Sequence, residues 1–388
     1  MFFIFDLMSN NSNNDSLTDL NLNYCQYFPQ CGGCDIINID SSHYQEIKKN
    51  YLKELLSKHK ISENELQKIN WVWLKSSSRR RIKLQINKHN RLGFFAKKSK
   101  NLVEITSCKV ANPKINQSIN IVTDFINHQA QNMWISISIT EFDNILDLIF
   151  YTSKSLSFQQ NEQLKALAIR NSWNISISIM NKNCGIIEPI IINQQPQIFY
   201  NYHEKFHVKL SSSVFLQATK QGMETIISII RTYIQQKFYK KSLKIKVVDL
   251  YSGFAGYSFG IVDLIDYATA FEGDENMSKI ANKNANENQL KIKSFSRDLF
   301  NSPLLSNELN QFDLAIVNPP RNGATPQIKE IAKSKINHLI YVSCNPASWA
   351  NDSQNLVSQG FKVEEINAID QFYGTNNFEL VAIFSRSY

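Results

Sequence analysis

The second half of the chain alternates short apolar segments with segments of helical periodicity, and this pattern limits the possible folds most. It begins with a predicted helix at 222–237 and a buried strand at 244–250, and it continues to residue 384. Apolar strands that alternate with helices predict a parallel, doubly wound sheet with helices on both faces. Ligands of such sheets bind outside the carboxyl ends of the strands, so functional side chains are expected there.

The first half of the chain shows a shorter period. A basic helix is predicted at 42–60, and later segments such as WISISIT (134–140) and WNISISIM (173–180) alternate polar and apolar residues. Alternation with period two is typical of strands with one buried face. The fold class predicted for the whole chain is therefore α/β, with a Rossmann-like C-terminal domain and a β-rich α+β domain before it.

These patterns predict three parts. The low-complexity start of the chain is expected to be disordered because it has too few apolar residues to bury. The predicted parts are a disordered tail at 1–22, a central β-rich region at 23–210 and a Rossmann-like domain at 211–388.

Positive charge is concentrated in one segment. The formal net charge of the chain is +8, but residues 45–116 alone carry 18 Lys and Arg against five Glu and no Asp. Such a concentration predicts a surface that faces a polyanion such as RNA, although a solvated basic face is the alternative. We find no apolar run long enough to span a membrane and no signal peptide, so we expect a cytoplasmic protein, and we also expect a monomer.

Four cysteines require a common explanation. Cys25, Cys31 and Cys34 lie in CQYFPQCGGC, and Cys108 follows in SCKVANP. Thiolates at this density bind either zinc or an iron–sulfur cluster, and unrelated buried cysteines are the third possibility. The absence of a second C-x2-C pair and of a nearby His favours the cluster.

A turn in the second half is suited to a nucleoside-like ligand. The strand KIKVVDL ends in Asp249 and runs into Tyr251 and Gly253, and the next strand ends at Glu272. A Gly-containing turn allows close approach of the ligand, and an acidic residue about twenty positions later can bind ribose hydroxyls. The dinucleotide fingerprint is absent, which favours S-adenosylmethionine. Asp298 could contact the adenine or cap a helix.

Three later strand ends carry reactive side chains. One strand runs into Asn318 and Arg321, the next ends at Cys344, and the last strand region begins at Glu379. A thiolate that adds to C6 of uracil makes C5 nucleophilic, and a base must then remove the C5 proton so that the thiolate can leave. Cys344 fits the nucleophile, Glu379 fits the base, and Arg321 could stabilise the enolate oxygen. A buried Cys and a solvated Glu are the ordinary alternatives.

A uracil in structured RNA must leave its helix to reach this pocket. Phe215 and Gln217 in SSSVFLQAT offer a packing face and an amide that can pair with a uracil edge. Arg79, Arg81 and Phe94, at strand ends within the basic segment, are predicted to contact the substrate RNA.

Together these motifs resemble the bacterial RNA 5-methyluridine methyltransferase family, especially its iron–sulfur ribosomal-RNA branch. The resemblance covers about residues 24–386. It is carried by CQYFPQCGGC with Cys108, RRRIKLQI, LGFFAKKS, VFLQAT, VVDLYSGFAG, AFEGDENMSKIANKNANEN, IVNPPRNG, YVSCNPASWANDSQNL and NNFELVAI.

The resemblance implies a role for each matching residue. It implies a [4Fe–4S] cluster on Cys25, Cys31, Cys34 and Cys108, Cys344 as nucleophile and Glu379 as general base. It further implies that Gln217, Tyr251, Glu272 and Asn318 line the S-adenosylmethionine and uracil pocket, with the donor on the Gly253 turn.

The chain departs from the usual family pattern at four positions. The family often has Asp at Asn318, and it usually has Cys at Ser252, His at Asn377 and Asn at Thr219. The small nucleic-acid-binding barrel that precedes the cysteines in some members is not expected here.

The resemblance implies methylation of C5 of a specific uridine in RNA, with large-subunit ribosomal RNA as the expected partner. One alternative is a non-catalytic RNA-binding or assembly factor that keeps the fold. A second is an amino-group methyltransferase acting on adenine, but that chemistry requires an aromatic residue where Arg321 stands.

Overall fold

The computed structural model describes residues 24–180, 185–189, 198–202, 205–212, 214–238 and 244–387. The predicted disordered tail at 1–22 lies outside these residues. The helices are α1 (Ser41–Lys58), α2 (Glu63–Leu66), α3 (Pro113–Asn127), α4 (Phe158–Asn171), α5 (Lys220–Lys237), α6 (Gly256–Ile261), α7 (Glu275–Glu287), α8 (Ser306–Leu309), α9 (Thr325–Lys333) and α10 (Pro346–Val357). The strands are β1 (Ile69–Trp73), β2 (Arg81–Ile86), β3 (Leu92–Phe95), β4 (Leu102–Glu104), β5 (Ser136–Glu141), β6 (Leu146–Thr152), β7 (Asn174–Met180), β8 (Gly185–Pro189), β9 (Ile198–Tyr202), β10 (Phe206–Leu210), β11 (Ile245–Leu250), β12 (Ile265–Glu272), β13 (Ile292–Ser296), β14 (Leu314–Val317), β15 (His338–Ser343), β16 (Lys362–Asp370) and β17 (Glu379–Ser385).

The second half of the chain forms most of an eight-stranded sheet. Its strand order is β1-β16-β17-β15-β14-β11-β12-β13. β17 is antiparallel to both of its neighbours, β15 and β16, whereas the other pairs are parallel. The predicted doubly wound sheet is therefore confirmed, with one reversed strand that the alternation pattern did not indicate. Because β17 is reversed, its first residue lies at the edge where the parallel strands end.

Helices cover both faces of this sheet and bury its apolar residues. On one face, Ile226 and Ile230 of α5 pack in one core with Val247 of β11. On the other face, Ile328 of α9 and Trp349 of α10 pack in a second core. The strands are apolar on both sides because both sides are covered, as expected of such sheets.

The first half of the chain contributes to this sheet as well. β1 is an edge strand of it, with Ile69 opposite Ile366 of β16. Leu52 and Leu56 of α1 belong to the same apolar core as Trp349. The sheets therefore do not divide at the boundary predicted at residue 211, because α1 and β1 pack with the C-terminal strands.

A second sheet occupies the central part of the chain. Its seven strands follow the order β4-β3-β2-β5-β6-β7-β8, and α3 and α4 cover one face. Ile82 and Leu84 of β2 point into this third core, while the alternate residues Arg81 and Lys83 are exposed. This is the polar and apolar alternation seen in the sequence, and it leaves basic side chains on the outer face.

Candidate active site

The sheet edge at the ends of β15 and β17 brings the predicted nucleophile and base together. Ser343 pairs with Leu380, so the following Cys344 and the preceding Glu379 are neighbours across the two strands. Asn345 caps α10 immediately after the cysteine, and its side-chain amide donates a hydrogen bond to the Arg321 carbonyl at 2.7 Å. The strand end, the helix start and the Arg321 turn thus meet at one place.

Burial sets the electrostatics of this pair. Glu379 is 2% exposed, and burial raises its pKa to about 8. Cys344 is half-buried, and its pKa is raised by burial and then by the charge of Glu379, whereas Arg321 lowers it through its charge and a hydrogen bond. A carboxyl group whose pKa lies near neutrality can both accept and release a proton. The arrangement can therefore support thiol addition with proton removal nearby.

A chain of side-chain amides leads from Glu379 into the interior. Gln371 Nε2 donates to Glu379 Oε2 at 2.6 Å and to Gln217 Oε1 at 2.7 Å, and Gln217 Nε2 donates to the Tyr257 hydroxyl at 2.8 Å. Arg80 Nε donates to the Gln217 carbonyl oxygen at 3.1 Å. Sequence reasoning identified Gln217 and Glu379 but missed Gln371 and Tyr257, for which the sequence carries no motif that separates them from ordinary turn and helix residues.

The turn predicted to bind the methyl donor follows β11 and is hydrogen-bonded to the end of β12. Tyr251 and Gly253 both have positive φ, at 58° and 56°, and the Gly253 N–H donates to Glu272 Oε2 at 2.8 Å. Asp249 is fully buried, and one of its oxygens accepts from Ser258 at 2.7 Å while Oδ1 has no hydrogen-bond partner. Burial raises the Asp249 pKa to about 7. The structure therefore groups these predicted cofactor-binding residues.

Two further residues predicted to bind the cofactor, Asn318 and Asp298, differ in their hydrogen bonds. The Asn318 N–H donates to the Leu250 carbonyl at 3.1 Å, which places the start of the Asn318 turn beside the end of β11. Asp298 is exposed, and its Oδ1 accepts from the backbone N–H groups of Phe300 and Asn301 at 3.0 and 3.2 Å. Asp298 thus caps a turn, which is close to the alternative that the sequence left open, and its contact with adenine stays a prediction.

Apart from Arg321, the residues predicted to contact RNA fall into two groups. Phe215 is 63% exposed, and the guanidinium of Arg81 lies 5.6 Å from the centre of its ring. Arg79, Arg81 and Phe94 line the cavity that the cysteines share. Arg81 therefore connects the exposed ring with the cysteine cavity.

A cavity of about 130 Å³ is lined by all four cysteines that are predicted to bind metal: Cys25, Cys31, Cys34 and Cys108. Burial raises the pKa of Cys34 to about 12, and the neighbouring thiols add to the shift. Burial also raises the pKa values of Cys31 and Cys108. Yet among the described residues, no group of three or more His, Cys, Asp or Glu side chains is arranged to hold a metal ion.

Within the described part of the chain, the helices are all too short or too polar to cross a membrane.

Comparison with known proteins decides the family. The model of the tRNA (uracil-5-)-methyltransferase family matches residues 41–387, which is most of the chain. The chain belongs to this family. The resemblance drawn from the motifs is thereby confirmed, as is the predicted activity class, S-adenosylmethionine-dependent methylation of uracil C5 in RNA.

Individual family members match over nearly the whole chain. A 23S rRNA (uracil(1939)-C(5))-methyltransferase from Shewanella woodyi is 27% identical, over 94% of this chain and 82% of its own length. An uncharacterized RNA methyltransferase from Caulobacter vibrioides is 26% identical, over 93% of this chain and 85% of its own length.

A solved structure shares the fold. The Pyrococcus abyssi tRNA (uracil-54, C5)-methyltransferase, solved with S-adenosyl-L-homocysteine, superposes with a TM-score of 0.71 at 20% identity, and the match covers 92% of this chain and 86% of that one. This match confirms the α/β methyltransferase fold.

Proposed function

We propose that this family member transfers a methyl group from S-adenosylmethionine to C5 of a specific uridine in 23S ribosomal RNA through a covalent bond to Cys344. The placement of Cys344 and Glu379 on adjoining strand ends carries the proposal. The ribosomal substrate is supported by relatives such as the one from Shewanella woodyi, whose name specifies 23S rRNA.

In the proposed reaction, the sulfur of Cys344 adds to C6 of the uracil ring. The displaced electron pair moves toward O4, which makes C5 the nucleophile. Arg321 lowers the pKa of the thiol and thus favours its thiolate form. After C5 has gained the methyl group, the Glu379 carboxylate removes the C5 proton, and the electrons of that C–H bond restore the C5–C6 double bond as the C6–S bond breaks. The cysteine leaves as thiolate, and Glu379 carries the proton.

The donor pocket fits S-adenosylmethionine. Asp249 offers a buried oxygen without a partner, and the open Gly253 turn has no heavy atom within 4 Å of where a Cβ would lie. We propose that Asp249, Tyr251, Gly253, Glu272 and Asn318 hold this molecule, with Asp298 and Gln217 at its borders. S-adenosylmethionine supplies an electrophilic methyl group when bound.

The RNA is proposed to lie across the central region. Phe215 offers an exposed ring for stacking, and Arg79, Arg81 and Phe94 extend from it toward the cysteine cavity. Aromatic rings with neighbouring cations bind unpaired bases without requiring one sequence. In this proposal residues 23–210 chiefly hold RNA and residues 211–388 carry the transfer chemistry, in a cytoplasmic monomer.

We also propose that the four cysteines hold a [4Fe–4S] cluster. Buried thiols with raised pKa values need a strong cation to become thiolates. Four thiols that line one cavity suit a cluster, in which each thiolate binds a different iron. Iron and sulfide assays on anaerobically purified protein test this, and stoichiometric zinc without sulfide would contradict it.

The test of the main proposal maps 5-methyluridine in ribosomal and transfer RNA with and without the gene. Loss of one modified uridine from 23S RNA is the expected result. Loss from transfer RNA alone would contradict the ribosomal substrate. RNA binding without label transfer from S-adenosylmethionine would instead favour the non-catalytic alternative.

A further inference from the structure

Gln371 lies between the proposed base, Glu379, and the amide of Gln217. It lies in the turn between β16 and β17, is 1% exposed, and is eight residues before Glu379. Its amide nitrogen donates both hydrogens, one to Glu379 Oε2 and one to Gln217 Oε1. An amide carries only two such hydrogens, so the nitrogen is saturated by these two acceptors.

The backbone of α5 leaves space for this amide. A Cβ placed on Gly222 would come within 2.5 Å of Gln371 Oε1 and within 3.2 Å of the Gln371 Cβ. Any larger residue at position 222 would therefore displace the Gln371 side chain. Gln371 Oε1 itself is buried without a hydrogen-bond partner, so the two donated bonds alone set the orientation of the amide.

The turn that carries Gln371 is held at both ends by one buried ammonium group. Lys48 Nζ lies 2.5 Å from Asp370 Oδ1 and donates to the Asn377 carbonyl at 2.8 Å. Asp370 also accepts from the Tyr44 hydroxyl at 2.9 Å. Because Asp370 precedes Gln371 directly, this pairing fixes the backbone from which the amide projects.

We propose that Gln371 is a positioning residue that orients the Glu379 carboxylate toward the C5 proton and at the same time fixes the amide of Gln217. This inference rests on the proposed function, because it takes Glu379 as the base. It gives the two residues a shared support, so that the base and the amide face the substrate in a constant relative orientation.

Loss of Gln371 should affect one step of the reaction, the removal of the C5 proton. Donation from Gln371 favours the ionised form of Glu379, against the effect of burial, which raises its pKa. Tyr257 and Cys344 also interact electrostatically with Glu379, whereas the hydrogen bond that lowers its pKa comes from Gln371. Without Gln371 the carboxylate is held less firmly and protonated more, so proton removal slows while addition of Cys344 to C6 continues.

The experiment compares Gln371→Leu with wild type in single-turnover reactions on substrate RNA. Turnover near neutral pH is expected to fall on the order of tenfold, in line with loss of a hydrogen bond to a charged group. The covalent protein–RNA adduct should accumulate, and the pH at which activity is half-maximal should rise. Wild-type turnover with an unchanged pH profile would overturn the inference.

Two further variants keep the result interpretable. Gln327→Leu removes another buried amide, which bonds the backbone of Leu304 instead of Glu379, and it should change stability without adduct accumulation or a shifted pH profile. If Gln371→Leu does not fold, Gly222→Ala displaces the same amide. It should give the same adduct and pH changes to a smaller degree, and wild-type behaviour would count against the inference.

Failure of the inference can be told apart from failure of the proposed function. Glu379→Gln should trap the adduct irrespective of Gln371. If Glu379→Gln traps no adduct, the covalent mechanism itself is wrong. If Glu379→Gln traps it and Gln371→Leu behaves as wild type, only the positioning role is wrong.

Discussion

The protein contains cysteine thiols in two different settings, the cysteine cavity and the sheet edge at Cys344. In the cavity, Cys34 lies among other thiols, and burial and those thiols raise its pKa to about 12. At the sheet edge, the Glu379 carboxylate adds to the effect of burial on the Cys344 pKa, and the Arg321 guanidinium opposes it. The comparison shows that a guanidinium lowers the thiol pKa in both settings, Arg79 on Cys34 and Arg321 on Cys344. In the cavity the neighbouring thiols add to the effect of burial, whereas at the sheet edge Glu379 does so.

The two settings are joined by one turn. The Gly374 carbonyl accepts hydrogen bonds from the N–H groups of Asp35 and Ile36, next to Cys34, and Glu379 follows five residues later. A Cβ at Gly374 would lie 2.9 Å from the sulfur of Cys34. Order in the cysteine segment can therefore influence the position of the base, and variants in each setting should separate the two roles.

Replacing the cysteines should reveal the largest difference in effect between the two settings. Cys344→Ala should lower methyl transfer by more than about a thousandfold, because it removes the nucleophile. Iron content and thermal stability should stay at wild-type values. Transfer of radiolabelled methyl groups to RNA measures the effect, and persistent activity would rule out the covalent mechanism.

Cys34→Ala should have the complementary effect. Loss of one of four ligands should release the proposed cluster and lower the free energy of unfolding by several kcal/mol, since binding of a structural metal group is coupled to folding. Iron assay and thermal unfolding of anaerobic samples measure both. Cys344→Ala is the matched control, and equal iron content in the two variants would contradict the division of roles.

A smaller effect on stability is expected at the ion pair that holds the connecting turn. Lys48 is fully buried, so Lys48→Met leaves Asp370 as an unpaired buried carboxylate and should lower the free energy of unfolding by about 3–5 kcal/mol. Urea denaturation measures this. Lys58→Met removes an exposed pair with Glu54 and should leave stability nearly unchanged.

The pH dependence of adduct release and of stability tests the raised pKa of Glu379. With a Glu379 pKa of about 8, the rate of adduct release should rise with pH up to about 8. Because the folded pKa is raised, the carboxyl group binds more protons in the folded state, and its contribution to stability is lost as pH rises toward and through 8. Glu379→Gln should flatten this decline, as pH-dependent denaturation can show. An unchanged decline would mean that Glu379 is not its source.

The smallest expected change concerns RNA affinity. Phe215→Ala should raise KM for RNA roughly tenfold with little change in kcat, because stacking on an aromatic ring contributes about 1–3 kcal/mol per base. Phe158 is also exposed and begins α4, and Phe158→Ala serves as the control. Equal KM values for the two variants would remove Phe215 from the RNA surface.

Much of the site could be predicted because it depends on where strands end. The sequence places Cys344 at the end of one predicted strand and Glu379 at the start of another. A doubly wound sheet sets Cys344 at the ligand edge, and Glu379 joins it there because β17 runs antiparallel to β15. Asp298 shows the limit of this reasoning, since the same residue type in the same place can either cap a turn or bind a ligand.

The remaining features depend on contacts between distant parts of the chain. Gln371 is a glutamine in a turn, and only its hydrogen bonds to Glu379 and Gln217 distinguish it from other glutamines. Likewise, the periodicity of β1 predicts a strand but contains no information about which sheet it joins. The reversed direction of β17 is also a matter of pairing, which apolar patterns do not specify.

The position of β1 has a consequence for how the protein is made. The strand is synthesised early, but the partner of Ile69 is Ile366, in the last tenth of the chain. During translation, the apolar side of α1 and the open edge of β1 have no packing partner until nearly the whole polypeptide has emerged. Premature termination anywhere before β16 should therefore yield nascent chains that chaperones retain, however complete their central sheet is.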